Sequence, residues 1–208
     1  MRGVISISGL IPENLPVRVV LTDDPLRAKM LAAHHLEYSA LVYGSGDVLA
    51  YTGSYKNVAI AVISSGLGSG EVLSCCNELR QHSATEIIYL GACLSTDRRH
   101  GLRSVVLASG GSSGLIDRAN IAAELFDLKA TARMLTPGAL EPGEGCIIDD
   151  VTGAFYELAR ENGFEALSIL TVSEDMARGE RMEEHEVRSR FYDAARLAFE
   201  TYALEFLH

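Results

Sequence analysis

Hydrophobic residues in this chain fall into short continuous runs that alternate with stretches of helical periodicity. Apolar and β-branched runs predict strands at Val17–Leu21, Leu49–Thr52, Val58–Ser64, Glu86–Leu90, Ser104–Ala108 and Ala166–Val172. Apolar positions three to four residues apart predict helices at Pro25–His35, Glu71–His82, Ile121–Arg133, Val151–Asn162 and Glu183–His208. Pro-Gly pairs at Pro137 and Pro142 predict a loop.

This alternation predicts an α/β fold: a single-domain α/β/α sandwich over residues 1–208, with a mixed central sheet. In such a sheet, ligands bind beyond the carboxyl ends of the strands. The residues that follow Leu21, Ser64, Leu90 and Val172 are therefore the first candidates for a functional site.

Composition narrows the possible partners. The 208 residues are 48% hydrophobic and carry a net charge of −10, which disfavours binding to nucleic acid backbones. No apolar run approaches the roughly 20 residues of a membrane span, and the N-terminus makes a poor signal peptide, so we expect a cytoplasmic protein. The cysteines (Cys75, Cys76, Cys93 and Cys146) and the adjacent His34 and His35 lack metal-ligand spacing, so no metal is expected.

The segment from Leu21 to Lys29 carries the clearest chemical signal. A strand stops at Asp23-Asp24-Pro25, and a helix with Arg27 in its first turn begins at once. Unpaired backbone N–H groups beside a cationic side chain can seat an anion. The alternative is an ordinary capped turn with a solvated Arg27.

Other candidates follow the remaining strand ends, precede the helix at Val151 or lie in the turn after the Gly91 loop, and each has a structural alternative. Gly66-Leu67-Gly68-Ser69-Gly70 could hold phosphate or sugar, or could be a tight packing turn. Glu174 and Asp175 could act in acid–base catalysis, and Asp149 with Asp150 could bind hydroxyl groups; either pair could instead cap a helix. The basic cluster Arg98-Arg99-His100 with Arg103 could attract phosphate or form a solvated turn.

In combination these segments resemble the nucleoside phosphorylase superfamily, especially the bacterial hexameric purine nucleoside and uridine phosphorylases. The order and spacing agree over most of the chain, and only the segment from about Ser112 to Ile147 lacks a counterpart. The matching segments are Asp24–Lys29, Tyr51–Lys56, Gly66–Gly68, Gly91–Cys93, Leu102–Val106 and Ala166–Glu174.

The resemblance implies roles for particular residues. Arg27 would grip phosphate, with Gly66, Gly68 and Ala92 beside it. Glu174, or Asp175 in its place, would protonate the leaving base. Asp149 or Asp150 would hold the ribose hydroxyls. No cofactor is implied.

The chain departs from the family pattern at several expected ligands. Asp23 replaces the glycine that precedes the Asp-Pro-Leu-Arg motif, and Tyr89 stands in place of an arginine. Ala92 replaces a serine, and Val151 replaces the glutamate that binds ribose. We therefore expect phosphate affinity in the millimolar range or worse.

The leading hypothesis is cleavage of the N-glycosidic bond of a nucleoside, either by phosphate (a pentosyltransferase) or by water (a nucleosidase). The alternative is a repurposed member of the family that binds a ligand or serves as a structural partner. The resemblance also implies a homo-oligomer, either a dimer or a hexamer.

Overall fold

A mixed sheet forms the centre of the molecule, and helices cover both of its faces. The computed structural model describes residues 15–82, 84–133, 135–137, 145–189 and 191–204, with backbone only for 131–133, 135–137 and Ser189. The strands are β1 (Arg18–Thr22), β2 (Glu37–Ser45), β3 (Val48–Tyr55), β4 (Val58–Ser64), β5 (Glu86–Ser95), β6 (Val105–Ala108), β7 (Ala130–Arg133), β8 (Leu135–Pro137), β9 (Ile147–Asp149), β10 (Glu165–Asp175) and β11 (Glu180–Arg181). The helices are α1 (Pro25–His35), α2 (Ser69–Gln81), α3 (Ser113–Leu125), α4 (Thr152–Asn162), α5 (Glu184–Ser189) and α6 (Tyr192–Ala203).

The strand order is β2-β3-β4-β1-β5-β10-β6-β7. Strands β4, β1, β5 and β10 run parallel, whereas β2, β3 and β6 pair antiparallel with their neighbours β3, β4 and β10. The pairing of β1 with β5 ends at Thr22 and Leu90, and β9 then pairs with β5 at Leu94 and Ser95. The ends of β1 and β9 therefore meet beside β5, at the carboxyl edge of the parallel strands.

Each face of the sheet buries its own hydrophobic core. On one face, Tyr89 of β5 packs with Phe155 of α4, and their ring centroids lie 6.2 Å apart. On the other face, α1, α3 and α6 cover alternate residues of the same strands, such as Leu90 and Ile169. Burial on both faces explains why the central strands are almost continuously apolar.

Helix α1 has the predicted bounds because its signals are local. Oδ1 of Asp24 accepts hydrogen bonds from the backbone N–H groups of Leu26 and Arg27 at 2.7 and 3.1 Å. Pro25 occupies the first turn, where no N–H partner is required. The prediction that α4 ends at Gly163 is also confirmed, because this residue adopts the left-handed conformation with φ 67°.

The prediction of a helix over Ile121–Arg133 is wrong. Helix α3 begins earlier, at Ser113, and ends at Leu125, so that Leu115, Ala119 and Ala122 face the sheet. Ala130–Arg133 instead forms β7, which pairs in parallel with β6. The exposed edge of β6 supplies hydrogen-bond partners that local propensity does not reveal.

The prediction of one continuous closing helix from Glu183 is also wrong. Helix α5 ends at Ser189 and α6 begins at Tyr192, with Phe191 buried at the break. The ring of Phe191 lies under the Arg27 guanidinium, whose carbon is 4.1 Å from the ring centroid. This long-range contact explains the break. Residues 205–208 of the predicted closing helix lie outside the described residues. So do Gly138 and Gly143, the two glycines of the predicted loop.

Strand β2 was not predicted; its side chains are mostly exposed, and its apolar run is short, at residues 40–43. None of the described helices combines the length and the hydropathy that a membrane crossing requires.

Candidate functional site

The chain's own groups bind both terminal nitrogens of the Arg27 guanidinium. Nη1 of Arg27 donates to Oδ1 of Asp23 at 2.5 Å and to Oγ1 of Thr22 at 2.8 Å. Nη2 of Arg27 donates to the carbonyl of Val187 on α5 at 2.7 Å. The side chain is only 3% exposed, so these contacts replace an anion that would otherwise have to neutralise a buried cation.

The remaining donor of Arg27, Nε, is buried and has no protein partner within the described residues. A cavity of about 20 Å³ borders Arg27, His34 and Phe191. This volume suits one water molecule, which needs about 10–15 Å³, and it is too small for a phosphate ion. The space left around the guanidinium therefore provides for hydration rather than for anion binding.

A hydrogen bond also joins α5 to the N-terminus of α1. Nε of Arg188 donates to Oδ2 of Asp24 at 2.8 Å, while Oδ1 of Asp24 caps the helix. Asp24 therefore supplies a carboxylate to the N–H groups that the sequence offered to an anion.

In the glycine loop before α2, a carboxylate of the chain likewise takes the place of an external anion. Gly66 and Gly68 have φ values of 89° and 116°, which suit glycine. A Cβ built on Gly68 would lie 2.6 Å from Oε2 of Glu71, so this carboxylate lies over the start of α2. A negative side chain at a helix N-terminus is favourable, and it opposes a second anion there.

Tyr89 fills the space between the ends of β1 and β9. A Cβ at Gly91 would come within 2.7 Å of the Tyr89 ring and hydroxyl, so this ring lies along its own strand toward the carboxyl edge. Burial raises the pKa of Tyr89, the charges of Asp23, Asp149 and Asp150 raise it further, and the charge of Arg27 lowers it. The phenol therefore lies within electrostatic reach of these four charged groups. Sequence reasoning identified Tyr89 only as a missing arginine.

The expected ribose-binding pair consists of one buried and one exposed carboxylate. Oδ2 of Asp149 accepts a hydrogen bond from the backbone N–H of Thr152 at 2.7 Å, and burial raises the pKa of this carboxyl. Asp150 is exposed. Asp149 thus has the structural contact of a helix cap, and its charge also reaches Tyr89 and Cys93.

The raised pKa of Asp149 predicts a pH effect on stability. The folded protein holds this proton more tightly than the unfolded chain, so stability should fall as the pH rises from about 3.9, the ordinary Asp value, through the raised pKa. Asp149→Asn removes the ionisation and keeps an oxygen for Thr152. We expect urea unfolding midpoints of this variant to decline less than wild type between about pH 4 and pH 7. An equal decline would contradict the assignment, and Asp150→Asn is the exposed control.

The two acidic residues at the end of β10 differ in their surroundings. Glu174 is half-buried and lies 3.8 Å from the guanidinium of the exposed Arg181, a weak surface pair. Asp175 is fully buried and accepts hydrogen bonds from Nη1 and the backbone N–H of Arg178, and this pairing lowers the pKa of Asp175. Glu174 is therefore the less constrained of the two carboxylates, because Asp175 is held in a turn by Arg178.

A β-bulge at Ser173 changes the direction of the strand at this point. Val172 is opposite Cys93 and Glu174 is opposite Leu94, so Ser173 has no partner in the register. Bulges of this kind re-aim side chains near functional sites. Leu94 is in turn opposite Ile148, and Asp149 follows on β9. The structure thus brings Glu174, Ala92, Asp149 and Asp150 to one edge of the sheet, although alternation directs Asp149 and Glu174 to opposite faces.

Two other positions in this region bear on phosphate binding. Ala92 is partly buried on β5 and has no polar side-chain atom. In the basic cluster, Arg99 pairs with Asp97 at 2.6 Å and Arg103 pairs with Glu186 at 2.8 Å. Both arginines are more than half exposed and are paired with carboxylates, whereas His100 of the same cluster is buried.

Comparisons with known proteins agree with this fold and segment order. The purine nucleoside phosphorylase DeoD-type of Hahella chejuensis is 28% identical over 91% of this chain and 94% of its own length. The purine nucleoside phosphorylase DeoD-type of Bacillus subtilis is 29% identical over 86% of this chain and 91% of its own length. No protein-family model matches the chain.

Solved structures share the architecture at lower identity. A purine nucleoside phosphorylase from Toxoplasma gondii, in complex with immucillin-H, superposes with a TM-score of 0.80 at 16% identity, covering 93% of this chain and 92% of that one. A uridine phosphorylase from Vibrio fischeri gives a TM-score of 0.79 at 17% identity, covering 93% and 95%. In sequence and in fold, this chain is therefore similar to nucleoside phosphorylases. Its curated relatives include bacterial DeoD-type purine nucleoside phosphorylases.

Proposed function

We propose that this protein cleaves the N-glycosidic bond of a nucleoside and that phosphate is not required as the nucleophile. One observation carries this proposal: the guanidinium of Arg27 is neutralised by Asp23 and tied to Val187. Similarity to nucleoside phosphorylases supports the glycosidic chemistry, and the occupied anion seat favours water over phosphate.

In this proposal Glu174 acts as the general acid. Its proton passes to a ring nitrogen of the leaving base while the bond between that nitrogen and the sugar C1′ breaks. The oxygen of a water molecule bonds to C1′, and a water proton restores the Glu174 carboxyl. The products are a free base and a free sugar.

The acidic groups at the ends of β1 and β9 suit the charge that develops in such a reaction. Positive oxocarbenium character on the sugar is stabilised by nearby carboxylates that are already oriented. Asp149 or Asp150 is the proposed partner of the sugar; the carboxylate of Asp150 is exposed, whereas that of Asp149 is buried and accepts a hydrogen bond from Thr152.

The test is a panel of purine and pyrimidine nucleosides incubated with the full chain, with and without inorganic phosphate. We expect free base and free sugar at rates that change less than about twofold on adding phosphate. Strict dependence on phosphate, with sugar 1-phosphate as the product, would refute the proposal.

The replacements at the expected ligand positions favour a second candidate, a ligand-binding protein without turnover. The resemblance calls for an arginine at Tyr89, a serine at Ala92 and a glutamate at Val151. Saturable nucleoside binding without any product in the same panel would support this candidate over the first.

We further propose that residues 1–208 form one domain that assembles into a cytoplasmic homo-oligomer, a dimer or hexamer. Tyr38 and Leu41 on the edge strand β2 are 91% and 56% exposed, and a neighbouring subunit would cover such residues. Light scattering at micromolar concentration is the test, and a monomer would contradict the assembly.

A further inference from the structure

We propose that a cavity between β6, β10 and the start of α6 is a second ligand site, which takes a small planar nitrogen heterocycle of the nucleobase class. The cavity has a volume of about 220 Å³. Its polar and aromatic lining comprises Arg103, Thr171, Glu186, Phe191, Tyr192 and Asp193. Drug-sized pockets measure roughly 300–1,000 Å³, so this one suits a ligand of one or two rings.

The hydroxyl of Thr171 is the main indication of a ligand. Thr171 is 3% exposed, and its Oγ1 has no hydrogen-bond partner among the described residues. Buried hydroxyls are nearly always paired, so an unpaired one that lines a cavity calls for a polar group inside it. A hydroxyl can donate and accept, which suits a ring bearing both N–H and carbonyl or ring-nitrogen groups.

The other walls suit the same chemical class. Phe191 and Tyr192 offer aromatic rings for stacking, and Tyr192 remains 57% exposed at the rim. The carboxylates of Glu186 and Asp193 can accept hydrogen bonds from N–H groups. Arg103 donates to both oxygens of Glu186, at 2.9 and 2.8 Å, which orients this carboxylate at the cavity wall.

This cavity is separate from the groups assigned to catalysis. Thr171 is opposite Ala92 on β5, whereas Glu174 is opposite Leu94, one position further along the same face, and does not line the cavity. The buried Phe191 ring borders both this cavity and the smaller one around Arg27. The choice of nucleobases as probes rests on the proposed function, whereas the cavity and its unpaired hydroxyl do not.

Isothermal titration of the full chain with adenine and with uracil tests the site. Thr171→Val keeps the side-chain shape and removes the hydroxyl, so the fold should persist while affinity for the better base falls about tenfold. Ser168→Ala is the matched control, because Ser168 is another buried residue of β10 with an unpaired hydroxyl and does not line the cavity. The affinity of Ser168→Ala for the same base should stay within about twofold of wild type.

The outcomes separate this site from the proposed catalytic function. Thr171-dependent base binding would support the site even if no nucleoside is cleaved. Absence of binding at millimolar base, or equal binding by wild type and Thr171→Val, would overturn it. Loss of binding in Glu174→Gln with full binding in Thr171→Val would assign the bases to the catalytic site and would also overturn it.

Discussion

Replacing Glu174 by glutamine is expected to lower the turnover number for nucleoside cleavage by about 10²–10⁴-fold, the usual contribution of a general acid. Glutamine has nearly the same shape and cannot donate a carboxyl proton to the leaving base. Glu174 pairs only weakly with the exposed Arg181, so the stability of the variant should change little. Initial rates, with the urea unfolding midpoint measured alongside, check this expectation.

The control is Glu183→Gln, which makes the same chemical change at an exposed neighbouring position. Its turnover should match wild type. The pH dependence of kcat/KM gives a second readout, because loss of the acid should remove the limb that reports its ionisation. Wild-type activity in Glu174→Gln would exclude this residue as the proton donor.

Replacing Asp23 by glycine is expected to create phosphate affinity that the wild type lacks. The Asp23 carboxylate contacts Nη1 of Arg27, so its removal frees that donor and removes a charge that opposes phosphate. At an effective dielectric constant of about 20, a like charge about 4 Å away opposes binding by roughly 4 kcal/mol. Reorganisation of Arg27 and its tie to Val187 reduce this gain, so we expect affinity to improve about 10–100-fold from a wild-type Kd of millimolar or worse.

Titration with inorganic phosphate measures this change, and product analysis for sugar 1-phosphate gives a second readout. Asp23→Asn separates charge from contact, because asparagine keeps an oxygen for Arg27 and loses the charge. Arg27→Ala in the Asp23→Gly background should abolish the new affinity. Micromolar phosphate binding by wild type, lost in Arg27→Ala, would contradict the prediction and favour a phosphorylase.

The sequence predicted the positions of the catalytic candidates, but not which of two adjacent acids is better suited. The position of Glu174 follows from a predicted strand end and those of Asp149 and Asp150 from the start of a predicted helix, and the structure brings all three to one edge of the sheet. The sequence could not distinguish Glu174 from Asp175. That distinction depends on Arg178, which holds Asp175 in a turn.

The amino-acid sequence alone determined the features that depend on neighbouring residues. Asp24 and Pro25 begin α1 because their cap and fixed φ act within one turn. The apolar run Val58–Ser64 is a strand with the predicted bounds, because burial on both faces leaves a continuous hydrophobic signal. The family resemblance likewise rests on local motifs in the correct order.

The tertiary structure gave Arg27 partners that lie far away in the chain, in addition to its local partners Thr22 and Asp23. Its partners include the carbonyls of Leu90 and Val187, which are 63 and 160 residues away in the chain. No local pattern reports such contacts, because they form only when β5 and α5 pack against the start of α1. The break before α6 has the same origin, since Phe191 is buried against Arg27. Local sequence thus placed Arg27 beside the carboxylates of Asp23 and Asp24, and long-range packing of β5 and α5 closed the remaining space with the protein's own groups.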